Sequence, residues 1–129
     1  MTHKVLVVED NPQSMRVALM TLRPHGYRLL QATDGEEALE IAAEHKPDLV
    51  IMDLQLPKLD GLQATRRLKR MPGLGHVPVI AVTAHAMKGD EETVFQAGCN
   101  AYLPKPINTR ELPGLVADML RHNHGSIDY

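Results

Sequence analysis

The chain is 129 residues long, 43% hydrophobic and 23% charged, with a formal net charge of −2. That length suffices for one domain with one hydrophobic core and no disulfide or structural metal. The charge balance excludes the dense basic face that nucleic acid or an anionic membrane requires, and no apolar run approaches the roughly 18 residues of a membrane span.

Aromatic residues are scarce, with three Tyr, one Phe and no Trp, so the core must come from Val, Leu, Ile, Ala and Met. The lone cysteine, Cys99, rules out an internal disulfide. It reads as a small buried hydrophobe in a reducing, cytoplasmic compartment. The first residues enter a strand-like run directly, without a secretory pattern.

In chain order, Lys4 to Val8 predicts a buried strand. Asn11 and Pro12 cap and open a helix whose inner face is Met15, Ala18, Leu19 and Leu22, spaced i, i+3, i+4, i+7. Pro24 and Gly26 close it. Tyr27 to Ala32 is a second strand. Asp34 and Glu37 then form a capping box for a helix that turns Ala38, Ile41 and Ala42 inward and stops at Pro47. Asp48 to Met52 is a third strand, almost wholly apolar, as expected when both faces are covered. A turn through residues 55–61 leads into a basic helix ending near Arg70. Val77 to Val82 is a fourth strand, followed by a weaker helical stretch from about Ala86 to Ala97. Ala101 to Leu103 is a short fifth strand. Leu112, Leu115, Val116 and Met119 mark a last helix that starts near Thr109 to Glu111, because Pro113 fits only a first turn. Arg121 to Tyr129 reads as fraying, with a flexible tail over 123–129.

Five strand–helix units in succession predict an α/β domain with a parallel sheet. Ligands of such sheets bind at the carboxyl ends of the strands. There the sequence places Glu9 and Asp10 after strand one, Asp53 after strand three, Thr83 after strand four and Lys105 after strand five. Strand two ends without an obvious polar group. Singly each has an ordinary reading: a solvated loop, a turn former, a helix cap, a surface charge. Their common position on one sheet argues for a site. Carboxylates meeting at one rim repel one another, and a hard cation such as Mg²⁺, with Mn²⁺ as a substitute, suits all-oxygen ligands. Lys105 adds positive charge. Such a pocket suits a phosphoryl group, and a carboxylate can act as its nucleophile.

The segments VLVVEDN, LVIMDLQLPKLDGL, PVIAVTAHAMKGDEE and GCNAYLPKPI resemble those of the response-regulator receiver domain over residues 3–122. The TAHAMKGD stretch is similar to that of single-domain regulators of the DivK type and of hybrid histidine kinase receivers. The resemblance implies a CheY-like doubly wound five-stranded parallel sheet of order 2-1-3-4-5. It implies that Asp53 is the phosphoacceptor, and that Asp10, Asp53 and the Gln55 backbone carbonyl bind Mg²⁺ while Glu9 acts mainly through water. Thr83 and Lys105 would bind phosphoryl oxygens, Pro106 would follow a cis peptide bond, and Tyr102 would turn inward when Thr83 moves. Glu9 stands where many members carry Asp.

These roles describe a switch rather than an enzyme. The phosphoryl group comes from a sensor or hybrid histidine kinase or a phosphotransfer protein, and is then slowly hydrolysed. The added charge of about −1.5 to −2 biases a two-state equilibrium. The readout is the surface of the fourth helix, fifth strand and fifth helix, which faces a target protein and offers a route to dimers of an otherwise monomeric chain. Gln55 and His85 flank the approach of water and are expected to tune phosphate lifetime; His85 reads equally as a solvated loop residue. His122 and His124 lack a third ligand. The alternatives are a receiver excised from a hybrid kinase, a receiver that works only by binding, and a metal-dependent phosphatase with an Asp nucleophile. The last usually carries a second Asp two residues on, where this chain has Gln55.

Overall fold

The computed structural model describes residues 2–84 and 90–125. Its strands are β1 (Lys4–Val8), β2 (Arg28–Ala32), β3 (Leu49–Asp53), β4 (Val79–Thr83) and β5 (Ala101–Pro104). They alternate with helices α1 (Pro12–Leu22), α2 (Gly35–His45), α3 (Gly61–Arg70), α4 (Asp90–Gln96) and α5 (Glu111–Gly125). All neighbouring strands pair in parallel, in the order β2-β1-β3-β4-β5. This is the doubly wound order expected, and it reverses direction between β1 and β3.

Strand alternation sends side chains to two cores. Leu6, Val8, Val50, Met52, Val79 and Ala81 face α2, α3 and α4, meeting Ala38, Ala42, Ala64, Leu68 and Val94. Val5, Val7, Leu49, Ile51, Ile80 and Val82 face α1 and α5, meeting Met15, Ala18, Leu19, Leu112 and Val116. With both faces covered, β3 and β4 are buried along their whole length. Among the described residues no helix is long and apolar enough to cross a membrane.

The helix starts follow from their caps. Asn11 Oδ1 accepts the N–H groups of Gln13 and Ser14 at 2.9 and 3.0 Å. Asp34 Oδ1 accepts Glu37 N–H at 2.8 Å, but Glu37 reaches back to the N–H of Thr33, at 2.6 Å, one residue before the cap. Asp60 caps α3 through Gln63 N–H at 3.0 Å, a start the sequence reading did not mark. Asn108 caps α5, accepting Arg110 and Glu111 N–H.

Several boundaries differ from expectation. Val77 N–H bonds to Leu74 O, so Val77 belongs to the turn before β4, and Pro78 has no N–H to give the ladder. Both β3 and β4 run one residue further, so Asp53 and Thr83 lie inside the ladder, paired with Val82 and Pro104. The fraying expected from Arg121 is corrected: α5 continues to Gly125. The rest of the expected tail, 126–129, lies outside the described residues, as does His85.

Helix α3 starts hard against β3. A Cβ on Gly61 would lie 2.3 Å from Asp53 O and 2.7 Å from Leu54 Cα, both backbone. Gly114, in α5, has nothing within 4 Å. In urea denaturation Gly61→Ala is expected to lose about 1–3 kcal/mol through forced backbone displacement. Gly114→Ala is expected to gain about 0.5–1 kcal/mol from helix propensity alone.

Candidate functional site

Four of the five strands deliver a polar side chain to one rim. β1 leads to Glu9, which is buried, and to Asp10, which is exposed. β2 contributes only a carbonyl: Ala32 O accepts Glu9 N–H at 3.0 Å, fixing the backbone from which Glu9 projects. β3 ends in Asp53, 2% exposed, and β4 ends in Thr83, also 2% exposed. β5 leads to Lys105, and the Lys105–Pro106 peptide bond is cis.

The Lys105 ammonium joins the buried carboxylates. Its Nζ lies 2.7 Å from Glu9 Oε1 and 3.1 Å from Asp53 Oδ2. The other oxygens also have donors. Glu9 Oε2 accepts Asn11 N–H at 3.1 Å, and Asp53 Oδ1 accepts Gln55 N–H at 3.0 Å. Burial raises the Glu9 pKa; Lys105 opposes that shift and nearby Asp53 reinforces it, and the net direction is upward. Burial also pulls Lys105 down, but its bonds to Glu9 and Asp53 outweigh burial and hold the ammonium above its ordinary value. Both directions have one origin, which is negative charge crowded into a space with little water.

Carboxylate oxygens of Glu9, Asp10 and Asp53 lie within 4.8 Å of one another. An all-carboxylate set open to water on its Asp10 side fits a hard divalent cation that keeps some of its waters. Lys105 alone balances only part of this charge.

Gln55 reaches from the loop after β3 to the end of β4. Its Nε2 donates to Thr83 Oγ1 at 2.6 Å, and its Oε1 accepts Ala84 N–H at 3.3 Å. The sequence reading assigned Gln55 a carbonyl ligand and an influence on water, and missed this side-chain bridge. A long amide two residues after a strand-end Asp was the only available signal. Tyr102 is half-buried and lines a cavity of about 270 Å³ together with Gln55, Thr83, Leu54 and Val94. Cys99 is buried beside Thr65, and burial raises its thiol pKa, in keeping with a packing role.

The family model for the response regulator receiver domain matches residues 5–117. The polar-differentiation response regulator DivK of Brucella ovis is 50% identical over 108 residues, covering 84% of this chain and 88% of that protein. A receiver domain of a sensor histidine kinase from Pseudomonas aeruginosa PAO1 was solved with a magnesium ion coordinated in its active site cleft. It superposes with a TM-score of 0.85 at 39% identity, covering 93% of this chain and 98% of that one. The chemotaxis protein CheY4 of Vibrio cholerae, 24% identical with a TM-score of 0.87, covers 92% of this chain and 99% of that one and shows the same fold.

Removing the ammonium leaves buried carboxylates facing each other. Lys105→Met is expected to cost about 1–3 kcal/mol in divalent-free buffer at neutral pH. Adding Asp53→Asn to Lys105→Met should recover most of that loss, giving a non-additive double-mutant cycle in urea denaturation.

Proposed function

The chain belongs to the response regulator receiver domain family of two-component signalling, and from that premise we propose that Asp53 is its phosphoacceptor. The observation that carries this reading is the convergence of Glu9, Asp10, Asp53 and Lys105 on one rim, with Lys105 bonded to two of the three carboxylates. The family's members are generally not enzymes in their own right, and this chain is read as a switch.

Asp53 and Asp10 would hold Mg²⁺ directly, with the Gln55 carbonyl as a third protein ligand and Glu9 acting through water. Mn²⁺ can take its place. When bound, the ion supplies positive charge that offsets the carboxylates and stabilises phosphoryl oxygens. The chain's own groups do the rest. An Asp53 carboxylate oxygen attacks phosphorus of a phosphohistidine, the P–N bond breaks, and its electron pair returns to the imidazole, which gains a proton from solvent. Lys105, already 3.1 Å from Asp53, turns to a phosphoryl oxygen, and the Thr83 hydroxyl takes another. Tyr102 follows Thr83 into the cavity they share. The surface of α4, β5 and α5 reports the change to a target protein. Water later attacks phosphorus and frees Asp53, on a time set partly by Gln55 and His85.

The donor is a sensor or hybrid histidine kinase or a phosphotransfer protein, met in the cytoplasm, without direct contact to nucleic acid. Likeness to DivK over most of that protein's length favours a stand-alone regulator. Likeness to the Pseudomonas aeruginosa receiver supports a second reading, the receiver of a hybrid kinase. A phosphatase acting on a separate substrate is disfavoured, because Gln55 stands where a general acid is needed and its amide is engaged with Thr83.

Incubation with a phosphorylated histidine kinase and Mg²⁺ is expected to label the chain. EDTA should abolish the label, and Asp53→Asn should carry none. Acid-stable label persisting on Asp53→Asn overturns the assignment. Substituting Gln55 and His85 together should change the half-life of the label, and an unchanged half-life removes them from that role.

A further inference from the structure

Gln55 uses every polar atom of its side chain on the end of β4. Its Nε2 donates to Thr83 Oγ1 and its Oε1 accepts Ala84 N–H, while its own N–H stays on Asp53 Oδ1. One residue therefore ties the phosphoacceptor position to the switch position.

The Thr83 main chain has little freedom. It pairs with Pro104 in the ladder, and its carbonyl accepts Lys105 N–H at 2.8 Å. Movement is left to the hydroxyl, by rotation about χ1, and to the peptide that follows. Those are the two groups Gln55 holds. The cavity of about 270 Å³ beside them, lined by Gln55, Thr83 and Tyr102, leaves room for the rearrangement.

Resting on the phosphoacceptor reading of Asp53, we propose that the Gln55 carboxamide is a latch on the unphosphorylated state. It holds the Thr83 hydroxyl and the Ala84 N–H in an arrangement that a phosphoryl group on Asp53 must break. The Asp53 oxygens already have their donors in Lys105 and Gln55 N–H. An arriving phosphoryl group brings further acceptor oxygens, and β4 is a strand paired directly with β3 whose end stands beside Asp53. Ala84 N–H supplies a new donor only after leaving Gln55 Oε1, and rotation of Thr83 about χ1 carries its Oγ1 away from the Gln55 Nε2–H that it accepts. The latch thus sets the resting population of the switched state. Gln55 is a positioning residue that acts before phosphorylation, a role separate from any effect on hydrolysis. Because the side chain is exposed, water competes for its bonds, and its effect is that of about one net hydrogen bond, roughly two- to ten-fold in population.

The full chain, titrated with beryllofluoride in excess MgCl₂ and followed by backbone amide resonances, tests this. Gln55→Leu keeps the bulk and removes both polar ends; Gln55→Ala removes the bulk as well. Both variants are expected to bind the mimic about two- to ten-fold tighter. In the mimic-free variants the Ala84 resonance should lie displaced along the line joining its free and mimic-bound positions in the wild-type chain. In a Thr83→Ala background the gain from Gln55→Leu should shrink. Unchanged or weaker binding by both variants, or an Ala84 resonance that stays at its wild-type free position, overturns the latch; wild-type binding in the same titration leaves the Asp53 assignment standing. A wild-type chain that does not bind the mimic overturns both.

Discussion

The Lys105 ammonium sits between two buried carboxylates, and the order of the rim depends on it. Glu9 and Asp53 leave adjacent strands at the same height, so their oxygens are forced together by the register of β1 with β3. In the low dielectric of a strand end this repulsion is costly. Lys105, brought from β5 across the top of β4, offsets it at 2.7 and 3.1 Å. The compensation is incomplete because Asp10 adds a third carboxylate on the solvent side. A site held together by one cation and still rich in negative charge favours a further cation.

Scaffold and site have opposite mechanical demands. Asp53 must not wander, and it does not. It lies in the ladder of a wholly buried strand, and its backbone sits so close to Gly61, the first residue of α3, that a Cβ there would come within 2.3 Å of the Asp53 carbonyl. Two aliphatic cores, one on each face of the sheet, hold the strands in place. Thr83 shares that rigidity in its main chain but not in its hydroxyl. At the end of β4, Thr83 Oγ1 and the Ala84 N–H both bond to one exposed amide, that of Gln55. A fixed carboxylate beside polar groups held by an exposed amide is a physical basis for a two-state device, since a small local energy decides between arrangements.

Much of this was legible in the chain itself. The short apolar runs became strands, the i, i+3, i+4, i+7 sets became the buried helix faces, and Asn11 and Asp34 capped as their chemistry demands. Errors were local and had local causes. Val77 looks like a strand residue, but the turn through Leu74 captures its N–H. Glu37 reaches past its cap to Thr33, because side-chain reach depends on where the preceding strand ends. The end of α5 was misjudged because its polar last turns carry no apolar period, although the backbone continues as helix.

The sequence by itself determined that this is a five-unit α/β chain with polar residues after strands one, three, four and five. It did so because hydrophobic period and strand-end position are one-dimensional patterns. Which of those residues touch was decided only in three dimensions. The separation of Lys105 from Glu9 and Asp53, and the choice of Thr83 and Ala84 as partners of Gln55, depend on strand register and on rotamers selected by packing across 28 to 52 residues or more of intervening chain. Asp53 could be named from its place after a strand. The cation that steadies it and the amide that ties it to β4 could not, because such contacts exist only once the parallel sheet has closed.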